Sequence, residues 1–244
     1  MRHTAFLSLV IAVLPSIALA QAAPAAEWEP LKQVYKERAN LEKHKQAASM
    51  AQELAAKYPG DKEAAIFCAM TSYYTAHRLP AKQKKEVALK GVECTKRVLE
   101  KDKTDYDARY WWAMTNFKSK EAEGINAALK QAAQVKAYLE KMIKDQPNRG
   151  EGYMMLGVLY RDLPGVISWG DPKKGLELLQ KANSLLPKDP EVLLELAAAY
   201  AKVGNKDEAR KAYNECINDS KAPRNKDWET EDAKAYAKKM LKDL

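Results

Sequence analysis

The segment EVLLELAAAYAKVGNKDEARKAYNEC, residues 191–216, decides the fold of this chain. Its first half places large apolar and small residues on one helical face: Leu193, Leu196, Ala197 and Tyr200. Gly204 and Asn205 then interrupt the helix, because both residue types favour turns. Its second half places small residues on either side of one aromatic residue: Ala209, Tyr213 and Cys216. Small side chains at a crossing let two helix axes approach to about 8–10 Å. The segment therefore predicts an antiparallel helix pair.

The residues upstream show the same arrangement once more. The matching positions are Tyr153, Leu156, Gly157 and Tyr160, followed by Gly175, Leu179, Ala182 and Pro187. Both units resemble the tetratricopeptide repeat, whose pattern is W-x2-L-G-x2-Y, then A-x3-F-x2-A, then Pro. The resemblance implies an all-α fold, a right-handed superhelix of antiparallel helix pairs. It also implies a surface for partners rather than a catalyst.

Further helix pairs are predicted on the N-terminal side of these units, so that helical repeats cover 29–223. The repeats recur about every 40 to 44 residues, against about 34 in the family. Extra turns in the return helices, predicted at 81–100 and 120–144, account for the difference. A last amphipathic helix, 229–244, is expected to cap the apolar end of the array.

The N-terminus has the pattern of an export signal. Residues 1–20 combine a basic start, a short apolar run and small residues before the predicted cleavage site. We therefore expect a cleaved signal peptide, 1–20, a flexible lead-in, 21–28, and a periplasmic protein. The sequence has no Cys at that site, so a lipid anchor is not indicated.

The chain is basic, with a formal net charge of +8 over 244 residues. Loss of the predicted signal peptide removes Arg2 and no acid, which leaves +7. The excess favours anionic partners. The alternative is an ordinary solvated surface, because Lys is spread through the predicted helices without a cluster of cations and aromatics. No nucleic-acid partner is expected.

Three cysteines are present, an odd number for an exported protein. Cys216 occupies the small crossing position, so we expect a buried free thiol. Cys68 and Cys94 lie on the two helices of one predicted hairpin. Their spacing permits a disulfide but does not require one, because the sequence does not place their Cα atoms within about 7 Å.

In the tetratricopeptide family the first helix of each pair lines the concave side, which implies a groove in this chain. The contact positions carried over are Phe67, Thr71, Tyr74, Trp111, Thr115, Lys118, Met154, Val158, Arg161 and Leu194. Their large apolar members would form a trough, and Lys118 with Arg161 would give it a basic edge. Such a trough suits a peptide or an amphiphile with an acidic head. The alternative is that these residues belong to the core.

A loop between Arg161 and Pro172 is the least regular stretch of the repeats. Its Gly165, Trp169 and Gly170 would allow it to act as a lid over the trough, and a structural connector is the alternative. The stretch from the loop through the following Leu-rich helix also resembles repeat proteins associated with periplasmic TRAP-type transporters.

The sequence offers no catalytic constellation. His44 and His77 have no Cys, Asp or His partner at ligand spacing, and no hydrolase, metalloprotease or phosphate-loop motif occurs. We therefore expect no enzyme activity, no metal ion and no cofactor. The expected function is a scaffold that binds another protein in the apolar concave groove. The alternative is a carrier or transporter-accessory protein that binds a hydrophobic or amphiphilic small molecule there.

Overall fold

Eleven α-helices make up the part of the chain that the computed structural model describes, residues 22–223 and 226–244. They are α1 (Ala25–Lys36), α2 (Leu41–Lys57), α3 (Lys62–His77), α4 (Ala81–Lys101), α5 (Tyr106–Glu121), α6 (Ile125–Asp145), α7 (Gly150–Asp162), α8 (Pro172–Leu185), α9 (Pro190–Lys202), α10 (Lys206–Asn218) and α11 (Asp227–Lys242). Consecutive helices pack on one another from α1 to α11. The all-α prediction is confirmed. The predicted signal peptide, 1–20, lies outside the described residues.

Asp and Asn side chains set the starts of six helices. The N-cap residues whose side-chain oxygens accept hydrogen bonds from first-turn N–H groups are Asn40, Asp61, Asp105, Asp171, Asp189 and Asn205. The first N–H groups of a helix have no partner inside it, so each such cap contributes about 1 kcal/mol. The turns between helices are therefore specified locally.

Helices α7 and α8 cross at glycine positions. A Cβ atom at Gly157 would stand 2.8 Å from Cγ of Leu179, and one at Gly175 would stand 2.8 Å from the carbonyl oxygen of Gly157. Residues without a side chain allow this approach. The predicted small residues at the crossing are confirmed.

The long repeat comes from long return helices. Helices α4 and α6 each have 21 residues, whereas α8 has 14 and α10 has 13. The predicted extra turns are thus present. Helix α6 begins at Ile125 rather than at the predicted residue 120, because α5 continues to Glu121 and Gly124 adopts φ 105° before α6.

The N-terminal boundary differs from the prediction. Helix α1 starts at Ala25, inside the predicted flexible lead-in, 21–28. Trp28 is buried and packs edge-on against Phe67, with ring centroids 5.6 Å apart. The backbone N–H of Ala23 donates a hydrogen bond of 2.7 Å to the Asp61 carboxylate. These tertiary contacts order the residues that composition alone marks as a linker.

A disulfide joins Cys68 of α3 to Cys94 of α4, with the Cα atoms 6.2 Å apart. The structure thus decides a question that the sequence left open. Cys216 is free and buried, as expected, and burial raises the pKa of its thiol to about 11. Its Sγ donates a hydrogen bond to the backbone carbonyl of Pro190.

Helix α11 packs on α9 and α10, where it covers a small apolar cluster at the end of the array. The buried members are Leu193, Ala197, Ala209, Ala212, Tyr213, Cys216 and Ala237, with Met240 and Leu241 packed against them. This position agrees with the predicted capping helix, whose observed bounds are Asp227–Lys242 rather than 229–244. Within residues 22–223 and 226–244, no helix is both long enough and apolar enough to cross a bilayer.

Candidate functional site

Three large apolar residues of the predicted trough are buried by other parts of the chain. Phe67, Trp111 and Met154 are each 8% exposed. The rings of Trp28 and Tyr35 lie 5.6 Å and 4.9 Å from the ring of Phe67. The expectation of an open apolar row along these positions is therefore wrong. Helix α1 supplies the aromatic rings that cover Phe67.

Aromatic neighbours surround Trp111 in the same way. Its ring lies 5.2 Å from Tyr110, 5.9 Å from Tyr73 and 6.0 Å from Tyr74, centroid to centroid. Val158 is half-buried and packs against the same core cluster. The core alternative therefore describes most of the apolar groove positions.

The two predicted threonines are fully buried. The Thr71 hydroxyl donates to the carbonyl of Phe67 at 2.9 Å, and the Thr115 hydroxyl donates to the carbonyl of Trp111 at 2.7 Å. These bonds lie within the residues' own helices.

The predicted basic edge is neutralised by acids of this chain. The ammonium of Lys118 lies 2.6 Å from the Glu121 carboxylate. The guanidinium of Arg161 donates to both carboxylate oxygens of Asp162, at 2.6 Å and 2.7 Å, and to the Glu195 carboxylate at 2.6 Å. Although burial opposes the charge of Arg161, these acids raise its pKa. The expected attraction for an acidic headgroup is therefore weak here.

A cavity of about 620 Å³ lies between the concave side and α11. Three of the predicted groove residues line it: Tyr74, Arg161 and Leu194. Helices α3 and α9 add Tyr73, His77, Glu191, Glu195 and Ala198, and α11 adds Trp228, Ala233 and Tyr236 among others. The cavity combines aromatic and aliphatic walls with charged groups, and Tyr236 stands at its mouth with 52% of its surface exposed. The repeat pattern did not indicate the contribution of α11.

Glu191 is the centre of a polar network in this cavity. Its carboxylate accepts a hydrogen bond of 2.6 Å from the Tyr74 hydroxyl and one of 2.7 Å from the Lys226 ammonium. The ammonium lies 5.4 Å from the centroid of the Tyr74 ring and 5.9 Å from that of Trp111. Burial acts to raise the pKa of Glu191, but attraction by Lys226 and these hydrogen bonds outweigh it and lower the pKa. The ion pair therefore stays charged.

A second polar cluster connects the first turn of α11 to the first hairpins. Arg38 donates from Nε and Nη2 to the two oxygens of Glu229, at 2.9 Å and 2.7 Å, and the Tyr35 hydroxyl donates to the same carboxylate at 3.2 Å. The Trp228 ring lies 4.6 Å from the Arg78 guanidinium and 5.7 Å from the imidazole of His44. Helix α11 therefore closes the concave side through long side chains.

The loop between α7 and α8 lies away from the cavity. The ring of Trp169 packs 4.8 Å from the Tyr160 ring and 4.8 Å from the Lys136 ammonium. The N–H of Asp171 donates to the Tyr160 carbonyl at 2.7 Å. A Cβ atom at Gly170 would stand 1.7 Å from the Leu163 carbonyl oxygen, and one at Gly165 would meet the carbonyl of Gly170 at 2.7 Å. The described lining comes from α3, α7, α9, α11 and Arg78, so the connector alternative describes this loop better than the lid.

Metal ligation finds no support in the described geometry. Among residues 22–223 and 226–244, no group of three His, Cys, Asp or Glu side chains is arranged to hold a metal ion.

The paired helices form a tetratricopeptide-like fold, and comparison with known proteins agrees. A tetratricopeptide family profile matches residues 167–221. The crystal structure of TTC0263, a thermophilic TPR protein of Thermus thermophilus, superposes with a TM-score of 0.61. The two sequences are 19% identical, and the match covers 86% of this chain and 98% of that one. This likeness supports the predicted fold of stacked helix pairs.

The chain belongs to the family described as regulator of microtubule dynamics protein 1-3, whose profile matches residues 30–163. The MamA structures are more distant: one is 18% identical over 83% of this chain and 96% of its own, with a TM-score of 0.44. MamA from Desulfovibrio magneticus RS-1 is 16% identical over 79% of this chain and 94% of its own, with a TM-score of 0.45. No curated protein sequence matches this chain.

Proposed function

We propose that this protein is a non-catalytic, exported scaffold that binds a segment of a partner protein in the cavity between the concave side and α11. The observation that carries the proposal is the cavity itself, about 620 Å³ of space with aromatic walls and charged groups. Tetratricopeptide repeats generally bind proteins, and this cavity lies where their first helices face inward.

A peptide segment suits the cavity better than a hydrophobic small molecule. The walls alternate apolar groups such as Leu194 and Ala198 with hydrogen-bonding groups such as Glu195 and Asp232. Backbone amides and side chains of a peptide supply both kinds of contact. A lipid-like ligand would leave the charged groups facing apolar atoms, which costs free energy. The carrier alternative is therefore the weaker one.

Export to the periplasm is part of the proposal. The pattern of residues 1–20 supports it, and so does the disulfide between Cys68 and Cys94, because structural disulfides persist in oxidising compartments. Fractionation tests export directly. We expect the periplasmic fraction to contain a protein that begins at Gln21 or Ala23, and an uncleaved protein in the cytoplasmic fraction would contradict it. Coupling to a TRAP-type transporter stays a prediction, which the matched family and structures do not support.

Site-specific photo-crosslinking tests the binding proposal. A benzoylphenylalanine at Tyr236, at the mouth of the cavity, should crosslink to a second polypeptide in vivo. The same residue at Lys130, an exposed position on α6, serves as the control. Replacing Ala198 with Trp fills the cavity and should abolish the crosslink, whereas Ala133→Trp on the exposed side of α6 should not. Equal crosslinking from Tyr236 and Lys130 would refute the site.

A further inference from the structure

Residues 226–229, Lys-Asp-Trp-Glu, cross the concave side and enter three separate subsites. Lys226, Trp228 and Glu229 each contact a different part of the array, while the Asp227 side chain is exposed. We call this stretch the internal segment.

The first subsite holds an ammonium group. Glu191 provides a carboxylate 2.7 Å from the Lys226 nitrogen, and the rings of Tyr74 and Trp111 face the same nitrogen at 5.4 Å and 5.9 Å. The Tyr74 hydroxyl holds Glu191 in place. A carboxylate together with two aromatic faces selects a cation on a flexible aliphatic stem.

The second subsite holds an aromatic ring. The Trp228 ring packs against the guanidinium of Arg78 and the imidazole of His44, two groups whose Nη1 and Nδ1 atoms lie 3.1 Å apart. Arg78 is fixed by hydrogen bonds of 2.6 Å and 2.8 Å to the backbone carbonyls of Arg38 and Ala39. The guanidinium is therefore held in place before it contacts the ring, so the contact costs little further ordering.

The third subsite holds a carboxylate. Glu229 receives two hydrogen bonds from Arg38 in the fork geometry and one from the Tyr35 hydroxyl. The side chains of Arg38 and Glu229 are 5% and 3% exposed. Breaking such a buried pair costs free energy, but a glutamate of another chain in the place of Glu229 would restore the hydrogen bonds from Arg38. Replacement of Glu229 by a glutamate of a partner is therefore the favourable way to release the first turn of α11 from the concave side.

The internal segment is not the main attachment of α11. Farther along the helix, Ala237, Met240 and Leu241 pack on α9 and α10. The backbone of α11 approaches α9 and α10, whereas the first three helices are reached by side chains. The first turn of α11 can therefore leave its subsites while the rest of the helix stays docked.

We propose that the internal segment is an intramolecular ligand, and that the protein partner carries a segment with the same order of cation, spacer, aromatic and acid, which displaces it. This inference deepens the proposed function and rests on it, since Tyr74, Glu191, Trp228 and Glu229 also line the cavity. A tethered segment competes at an effective concentration of order mM. While the internal segment occupies its subsites, weak or unrelated segments are therefore excluded, whereas a matching segment can displace it.

A peptide competition experiment on the full chain tests this inference. The probe is a fluorescein-labelled hexapeptide of residues 226–231, KDWETE, measured by fluorescence anisotropy. A K226A/W228A/E229A variant should bind it at least tenfold more tightly than the wild-type protein does. A charge-exchanged peptide, EDWKTE, should not bind the variant. Absence of binding by a variant that keeps its helical circular dichroism would overturn the inference, and so would equal binding of the two peptides.

Hydrogen exchange on the wild-type protein keeps the test decisive if that variant does not fold. Excess unlabelled KDWETE should accelerate exchange of the Thr230 amide, which donates to the Lys226 carbonyl, and EDWKTE should leave it unchanged. Unchanged exchange with both peptides contradicts the inference. If KDWETE does not bind while the crosslink from Tyr236 persists, the internal-ligand inference is refuted, whereas the proposed binding site is not. If the crosslink is absent while KDWETE binds, the proposed function fails instead.

Discussion

Reduction of the disulfide between Cys68 and Cys94 should destabilise the protein by about 3.5 kcal/mol. The bond closes a loop with a sequence separation of 26 residues between α3 and α4. In the chain-entropy relation, a loop of this length removes about 12 cal/mol/K from the unfolded chain, which corresponds to about 3.5 kcal/mol at 25 °C. Both sulfurs lie in the packed hairpin, with Cys68 fully buried and Cys94 8% exposed. The reduced thiols can remain there as small apolar groups, so the loss arises mainly in the unfolded state.

Thermal unfolding by circular dichroism, with and without reductant, measures this effect. For a chain of this size, about 3.5 kcal/mol corresponds to a fall in Tm of roughly 7–14 °C. The control is Cys216→Ala, which removes the free thiol and should show the same response to reductant. Mass spectrometry after alkylation in denaturant without reductant should show one modified cysteine, Cys216. Three modified cysteines, or an unchanged Tm after complete reduction, would refute the reasoning.

Three further predictions concern the buried polar cluster and the helix crossing. Glu229→Ala should destabilise the protein by about 3–5 kcal/mol in urea unfolding, because Arg38 loses the buried carboxylate that accepts two of its hydrogen bonds. Replacing both Arg38 and Glu229 with Met should cost less than either single loss. A Glu229→Ala loss below about 1 kcal/mol contradicts this. Burial and then the nearby arginines lower the pKa of His44 to about 4 in the folded protein. As the pH falls, His44 is therefore protonated in the unfolded chain before it is protonated in the folded protein. The free energy of unfolding should therefore decline by about 3 kcal/mol between about pH 6.5 and 4. His44→Gln should flatten this pH profile, and an unchanged profile in that variant would exclude His44 as the cause. Gly157→Ala should cost about 1–3 kcal/mol because its new Cβ meets Leu179 and a backbone carbonyl of α8, and an unchanged Tm would show that the crossing relaxes.

Local sequence signals determined the helices of this protein. Asp and Asn caps, glycines at turns and crossings, and apolar residues at helical spacing fix φ, ψ and the buried face within a few residues. For this reason the extra turns of α4 and α6 were expected. The start of α1 was missed because its order depends on Trp28 and Phe67, far apart in sequence.

The site depended on information that no local pattern contains. The family resemblance indicated Tyr74, Arg161 and Leu194 as groove positions, and these three residues line the cavity. It could not show that α1 covers Phe67 or that Lys226 enters beside Trp111. Those contacts join residues that are distant along the chain.

The sequence by itself thus determined which residues form helices and which face of each helix is apolar, because helix geometry repeats every 3.6 residues and is satisfied locally. Tertiary structure alone decided whether an inward face is open or covered. Arg38 and Glu229 meet across 191 residues of chain, and their pairing depends on how the stacked helix pairs curve to bring the two ends together. That curvature is a sum of small packing angles, which side-chain spacing within one helix does not encode.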